Sequence, residues 1–275
     1  MKRLDIDFLK NYDDTKYEKP SVTADICIFT IQERETDNYR KLSDKQLKLL
    51  LIKRGKSPYV GEYALPGGFV RRNETVDEAA RRELREETGV ECDCLEQVHV
   101  FSDPKRDPRR WVITTAYLAL LDASELNLVA GDDASEAEWF EVSMAEKEGN
   151  WILNLIGQDT TIKVEIGISK KKFSQTEPEL NMISSENIAF DHGLIIAHAL
   201  FCLKRWIKET NIAFSLLPET FSLSQLKQVY EAILGTELYA AAFRRKMLPL
   251  LEETDQMTED AGHRPSRLYK VREVE

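Results

Sequence analysis

Three glutamates, Glu83, Glu86 and Glu87, stand three and four positions apart in the segment 74–88. On a helix that spacing puts all three on one face. Local physics opposes the arrangement. Like charges so spaced repel by roughly 0.2–0.5 kcal/mol per pair, and the last helical turns, where these residues fall, prefer cations to anions. Conflicts of this kind tend to mark functional sites. A hard divalent cation, Mg²⁺ or Mn²⁺, resolves it, because such ions take carboxylate and water oxygens and often share them with substrate phosphates. Arg82, four residues before Glu86, is placed to pair with that carboxylate and orient it. The alternative is a solvated Glu/Arg-rich helix face, which is common in soluble proteins.

The carboxylates need a helix and a loop to hold them. Ala79, Ala80 and Leu84 give residues 74–88 a small apolar face, and Gly89 falls where a C′ glycine belongs. Residues 57–68 carry Pro58, Gly61, Pro66, Gly67 and Gly68 and read as loop. Strands are expected at 22–31, 47–52, 95–101, 111–121, 138–142 and 162–168, from apolar and β-branched runs. Residues 1–20 read as a loose lead-in, and 32–45 and 102–110 as polar loops. Residues 185–208 have helical spacing. Strands alternating with helices and loops fit a layered α/β or α+β domain.

The full pattern is Gly68, five residues, Glu74, seven residues, then Arg82-Glu83-Leu84-Arg85-Glu86-Glu87-Thr88-Gly89-Val90. It resembles the Nudix box at every defining position, and the likeness extends upstream through Tyr63-Ala64-Leu65-Pro66-Gly67-Gly68-Phe69-Val70. The resemblance implies an α+β fold, a Nudix α/β/α sandwich with a mixed sheet. It implies metal ligation by Glu83, Glu86 and Glu87 with the Gly68 carbonyl, orientation by Arg82, and a variable role for Glu74. It also implies Mg²⁺- or Mn²⁺-dependent hydrolysis of a nucleoside diphosphate linked to another group. A carboxylate outside the box often serves as base or further ligand in this family. Glu136 and Glu138, before Trp139-Phe140, are the candidates, and a merely solvated acidic loop is the alternative.

Pro104, about fifteen residues past the box glycine, resembles the proline of ADP-ribose pyrophosphatases, so ADP-ribose or a similar nucleoside diphosphate sugar is the expected substrate. In the same loop Arg106 and Arg109 offer bidentate forks to phosphate or ribose oxygens, and Arg54 is a further candidate. The alternative is a rigid turn with surface arginines. Phe101, Tyr63 and Phe69 compete as the aromatic that stacks on adenine.

Downstream, Ser222 and Gln225 form a capping-box pattern, followed by an apolar stripe from Leu223 to Leu234 and a second stripe from Leu238 to Leu250. A polar loop is expected at 252–262 and a short strand at 264–271. Residues 221–270 resemble the winged helix-turn-helix tail of Nudix-related transcriptional regulators, through Phe221-Ser222-Leu223-Ser224-Gln225-Leu226, Phe243-Arg244-Arg245-Lys246-Met247 and Arg264-Pro265-Ser266-Arg267-Leu268-Tyr269. Ala189-Phe190-Asp191-His192 resembles the preceding linker of that group. The likeness implies Arg244, Arg245 and Lys246 on a recognition helix, Arg264, Arg267, Lys270 and Arg272 on a wing, duplex DNA as a partner, and a homodimer reading paired half-sites. In that group the box is often degraded, leaving a sensor; here it is intact, which favours a working hydrolase. The expected division is a lead-in at 1–20, a Nudix domain at 21–210 and a small winged helix-turn-helix domain at 211–275.

Composition is compatible with all of this. A net charge of −10 argues against a protein coated in nucleic acid but not against a local basic patch. Cys27, Cys92, Cys94 and Cys202 form no C-x-x-C pair and read as reduced thiols. The N-terminus has no apolar signal core, and the longest apolar run, 193–203, is too short for a bilayer, which needs about 20 residues. A soluble cytoplasmic protein is expected.

Overall fold

A computed structural model describes residues 3–33, 45–92, 94–122, 134–169, 179–258 and 265–272. The chain runs α1 (Arg3–Lys10), β1 (Ser21–Glu33), β2 (Lys45–Arg54), β3 (Tyr63–Ala64), β4 (Gly67–Phe69), α2 (Val76–Thr88), β5 (Leu95–Phe101), β6 (Val112–Leu120), β7 (Ala134–Lys147), β8 (Asn150–Ile156), β9 (Thr161–Ser169), β10 (Glu179–Ser185) and α3 (His192–Glu209). A 3-10 turn (Ile212–Leu216) then leads to β11 (Phe221–Ser222), α4 (Leu223–Leu234), α5 (Ala240–Met247), β12 (Leu251–Met257) and β13 (Arg267–Val271). Among the described residues no helix is long and apolar enough to cross a membrane.

The large sheet is mixed. Its order is β10-β9-β8-β7-β2-β1-β6-β5, with β3 paired to β2 and β4 to β1. The β1–β6 pair is parallel and the others are antiparallel. β1 is buried on both faces, as expected of a central strand under two helical layers. Side chains alternate along it. Ile26 shares its face with its parallel partner Tyr117, whose hydroxyl donates to Asp77 in the first turn of α2. The opposite face, with Asp25 and Cys27, looks toward α3, where His192 and Cys202 sit. The metal-motif helix and the long C-terminal helix therefore cover opposite faces of one sheet.

α3 also contacts β5 and β10, the two ends of the sheet order, so the sheet curls around it. Past α3, a three-stranded sheet β11-β13-β12 and helices α4 and α5 complete the second unit. α4 buries Leu226, Val229, Tyr230 and Ile233 and packs on α3 and β2, so one apolar core runs through both units.

Several expectations are corrected. Residues 3–10 of the lead-in are helical. The helix expected from 185 starts at His192, because 179–185 form edge strand β10. The short strand at 138–142 is the middle of a longer β7, which continues into hairpin strand β8. The polar loop expected from 252 is strand β12 as far as Met257.

Candidate functional site

α2 begins at Val76. Thr75 caps it reciprocally with Glu78, and Gly89 closes it at φ 72. Glu74 is thus outside the helix, two residues before its first turn, and its carboxylate folds back over α2. Arg82 grips it with two nitrogens, at 2.8 Å and 3.1 Å, and also donates to Glu83 at 2.6 Å, Glu86 at 3.2 Å and the Phe69 carbonyl at 3.3 Å. The expected Arg82–Glu86 pair is present but is the longest of the three carboxylate contacts. Hydrogen bonds from Arg82 and from the Arg71 amide hold the Glu74 carboxyl down at about 2. Hydrogen bonds to Glu74, then Glu83, push the Arg82 guanidinium up in turn. Arg82 is the hub that ties loop 69–74 to the metal-motif face.

Glu87 differs from its neighbours. Its Oε2 is buried and, among the described residues, accepts no hydrogen bond, and burial, then Glu83 and Glu86, push its carboxyl pKa up. A Cβ at Gly68 would overlap the Glu83 carboxylate, so any side chain there would displace that carboxylate from its present place. An orphaned buried carboxylate oxygen beside two further carboxylates fits a hard cation in donor type. As they stand, Glu83 and Glu86 turn toward Arg82, and among the described residues no three acidic, histidine or cysteine side chains are gathered around one point.

On the other face of the sheet a cleft of about 1160 Å³ lies between β5, β10, α3 and the turn after β5. Phe101 and Arg106, two of the expected substrate residues, line it, with His99, His198, Phe190 and Asp191. Pro104 is exposed and does not line it; it sits in the turn in which the Arg106 amide donates to the Asp103 carbonyl at 3.1 Å. That turn sends Arg106 inward, where its side chain is 4% exposed. There it meets Asp191 through two nitrogens, at 2.9 Å and 2.7 Å, and Asp25 at 3.4 Å. Arg109 is committed to Asp107, and Arg54 donates to the Pro58 carbonyl. Both guanidinium groups lie against the Phe190 ring, at 4.8 Å for Arg54 and 5.5 Å for Arg109.

The other aromatic candidates are placed elsewhere. Tyr63 is buried edge-on to Phe140 and donates to Glu138 at 2.7 Å, while Phe69 is exposed near Arg110. Glu138 also accepts from the Gln158 amide, so its two oxygens are engaged in holding strands together. The Glu136 side chain lies outside the described residues.

In the second unit Phe243 and Met247 anchor α5 in the core, leaving Arg244, Arg245 and Lys246 exposed together. On β13 Arg267 pairs with Glu253 at 2.5 Å and Lys270 with Glu252 at 3.4 Å, both from the acidic strand β12. Arg272 donates to the Leu251 carbonyl. Arg264 lies outside the described residues. Arg244 and Arg267 share a polar recess of about 460 Å³ with Ser222 and Ser224 at the start of α4.

Comparison with known proteins joins the two units. Residues 40–156 match the NUDIX domain model, and residues 213–271 match the NrtR DNA-binding winged helix domain. Over 267 residues the chain is 31% identical to the ADPR responsive transcriptional repressor NtrR of Acinetobacter baylyi, covering 96% of this chain and 86% of that one. The chain belongs to the NrtR family. The fold agrees along its length with a MutT/nudix family protein from Enterococcus faecalis (TM-score 0.73, 28% identity, 99% of this chain and 94% of that one) and with Shewanella oneidensis NrtR complexed with a 27mer DNA (TM-score 0.61, 25% identity, 91% and 93%). An ADP-ribose pyrophosphatase of Methanocaldococcus jannaschii is 47% identical over 104 residues, 38% of this chain and 60% of that enzyme. The NrtR likeness thus includes the linker as well as both domains.

Asp25, Tyr59, His99, Phe190, Asp191, His192 and His198 were not among the site residues expected from the motifs. Asp25 had a signal of its own, the one charged side chain inside the mostly apolar and β-branched run 22–31. Phe190 to His192 were visible only as linker motif, with no chemistry attached.

Proposed function

We propose that this protein is a DNA-binding transcriptional regulator whose Nudix domain, residues 21–210, takes ADP-ribose or a similar nucleoside diphosphate sugar, and whose winged helix, residues 211–275, holds duplex DNA. The observation that carries the reading is the similarity to the A. baylyi repressor, which runs across both domains and the linker between them. The geometry supports it. The cleft presents Phe101 and the buried Arg106 opposite a wall formed by α3, and α3 packs directly on α4 of the winged helix. A ligand in the cleft therefore touches the element that carries the DNA-binding unit. Arg244, Arg245 and Lys246 supply a recognition helix, and Arg264, Arg267 and Lys270 a wing that contacts phosphates. A homodimer places two such units on paired half-sites. Fluorescence anisotropy against duplex from upstream of its own operon, with and without ADP-ribose, tests this. Tight binding that ADP-ribose changes supports the reading, and no binding at low salt, where phosphate contacts are strongest, sinks it.

The intact box supports a second activity in the same domain, hydrolysis of a pyrophosphate held at the box itself, across the sheet from the cleft, to two phosphorylated products such as AMP and a sugar phosphate. Glu83, Glu86, Glu87 and the Gly68 carbonyl would hold a divalent cation, Mg²⁺ or Mn²⁺, which when bound neutralises the pyrophosphate and lowers the pKa of an attacking water. Arg82 fixes Glu83 and Glu86 and joins them to loop 69–74. AMP release from ADP-ribose that depends on metal and is lost in Glu87→Gln supports this activity. ADP-ribose binding without release leaves a sensor alone.

A further inference from the structure

Two aromatic residues at the mouth of the cleft hold backbone conformations that bulky side chains rarely adopt. Tyr59 has φ 63 and Phe190 has φ 54, and their rings touch edge to face at 4.7 Å. Such outliers persist only where surrounding contacts over-determine them, and they gather at ligand clamps and switch regions. Two cations also meet Phe190. Arg54 and Arg109 lie on its ring, and His192 packs beside it at 5.3 Å. Guanidinium planes that stack on a benzene ring stack equally on a purine.

The next residue repeats the pattern with charge. Asp191 takes the Nε–Nη2 edge of Arg106 with both its oxygens, a bidentate geometry with which arginine also takes a phosphate. It does so from the N-cap position of α3 and makes no cap hydrogen bond to its own helix. A carboxylate at that position ordinarily satisfies the first-turn amides, so here it is diverted. Asp25 stands on the same guanidinium, so two carboxylates face one arginine on the cleft floor. That floor repels an anionic ligand while Asp191 remains in place.

We propose that Phe190 and Asp191 occupy, from within the chain, adjacent subsites for a ring and an anionic group, and that a nucleoside diphosphate ligand binds by displacing both. This rests on the ligand reading above and deepens it. Arg54 and Arg109 form the ring subsite, and Arg106 forms the anion subsite. Displacement releases strain at Phe190 and frees Asp191 to cap α3. The segment that moves is the start of the helix that packs on α4 and whose far end runs on into the DNA-binding unit. Ligand binding and DNA binding are thereby coupled through residues 190 and 191.

Calorimetric titration of the full chain with ADP-ribose, for wild type, Asp191→Asn and Phe190→Leu, tests the proposal. A plug closed nine-tenths of the time weakens apparent binding about 10-fold, so each variant should bind ADP-ribose several-fold more tightly. Without ligand, the DNA affinity of each variant should also move toward the value wild type reaches at saturating ADP-ribose, a shift that a purely structural role does not produce. Both variants alter few atoms, and either one that folds suffices. Binding equal to or weaker than wild type in the folded variants overturns the plug and leaves the ligand reading standing. ADP-ribose binding by none of the three proteins removes the ligand reading and the plug together.

Discussion

His192 accepts, at Nδ1, the amide hydrogen of Leu65 at 2.8 Å, joining the start of α3 to the loop that delivers Gly67 and Gly68. The accepting nitrogen must carry a lone pair, so the ring is neutral, and its Nε2 faces Asp25 at 4.0 Å. Burial is the main cause that lowers its pKa below 6.5, opposed by Asp25 and Asp191. The unfolded chain therefore binds this proton more readily than the folded one. The stabilisation is fully present above about pH 6.5 and is lost as pH falls through that value toward the lower folded pKa. His192→Ala leaves a buried amide unsatisfied and should cost about 1–3 kcal/mol at pH 7.5. Urea unfolding of both proteins at pH 7.5 and 5.5 checks this, and the gap between them should narrow at the lower pH.

Arg82 should not be replaceable by lysine. Its fork spans Glu74, Glu83 and Glu86 at once, and an ammonium cannot reproduce planar bidentate contact. Partners that orient metal ligands typically contribute 10–100-fold to affinity. Arg82→Lys is expected to weaken Mn²⁺ binding by about that range, measured by titration with the metal alone. Unchanged Mn²⁺ affinity would refute the positioning role.

The winged helix makes a salt-dependence prediction. Each of Arg244→Ala, Arg245→Ala and Lys246→Ala that removes a phosphate contact should reduce the slope of log K against log salt by about 1. Arg267 and Lys270 behave differently, because Glu253 and Glu252 already pair with them. Glu253→Gln should raise DNA affinity by freeing Arg267. Anisotropy titrations at several salt concentrations measure both effects, and a Glu253→Gln protein that binds more weakly would argue against Arg267 as a phosphate contact.

Ser222 caps α4 through the Gln225 amide at 3.1 Å, and Gln225 returns a contact to the Ser222 amide at 2.8 Å. Ser222→Ala should cost about 1 kcal/mol. The loss is expected in thermal unfolding of the full chain, since α4 shares its core with α3.

Local spacing determined much of this protein. The i, i+3, i+4 glutamates, the closing glycine of α2, the capping box of α4 and the basic run on α5 depend on residues within one or two turns, so they were legible in order; the Thr75 cap of α2 was not read, and the helix was expected from Glu74. The apolar runs likewise located β1, β2, β5, β6 and β9. β10 escaped because its Leu180, Met182 and Ile183 do not alternate cleanly on a half-exposed edge. β12 escaped because it is a short acidic strand whose pairing with β13 outweighs its poor strand propensity. Arg106 was visible as a cation but not as a buried one. Its burial depends on Asp25 and Asp191, 81 and 85 positions away, meeting it at one point. Which face of the sheet holds the box and which holds the cleft follows from β1 lying between β4 and β6 under two helical layers. Sequence spacing reports neighbours along one element, whereas only the closed sheet brings β5, β10 and α3 around a common space.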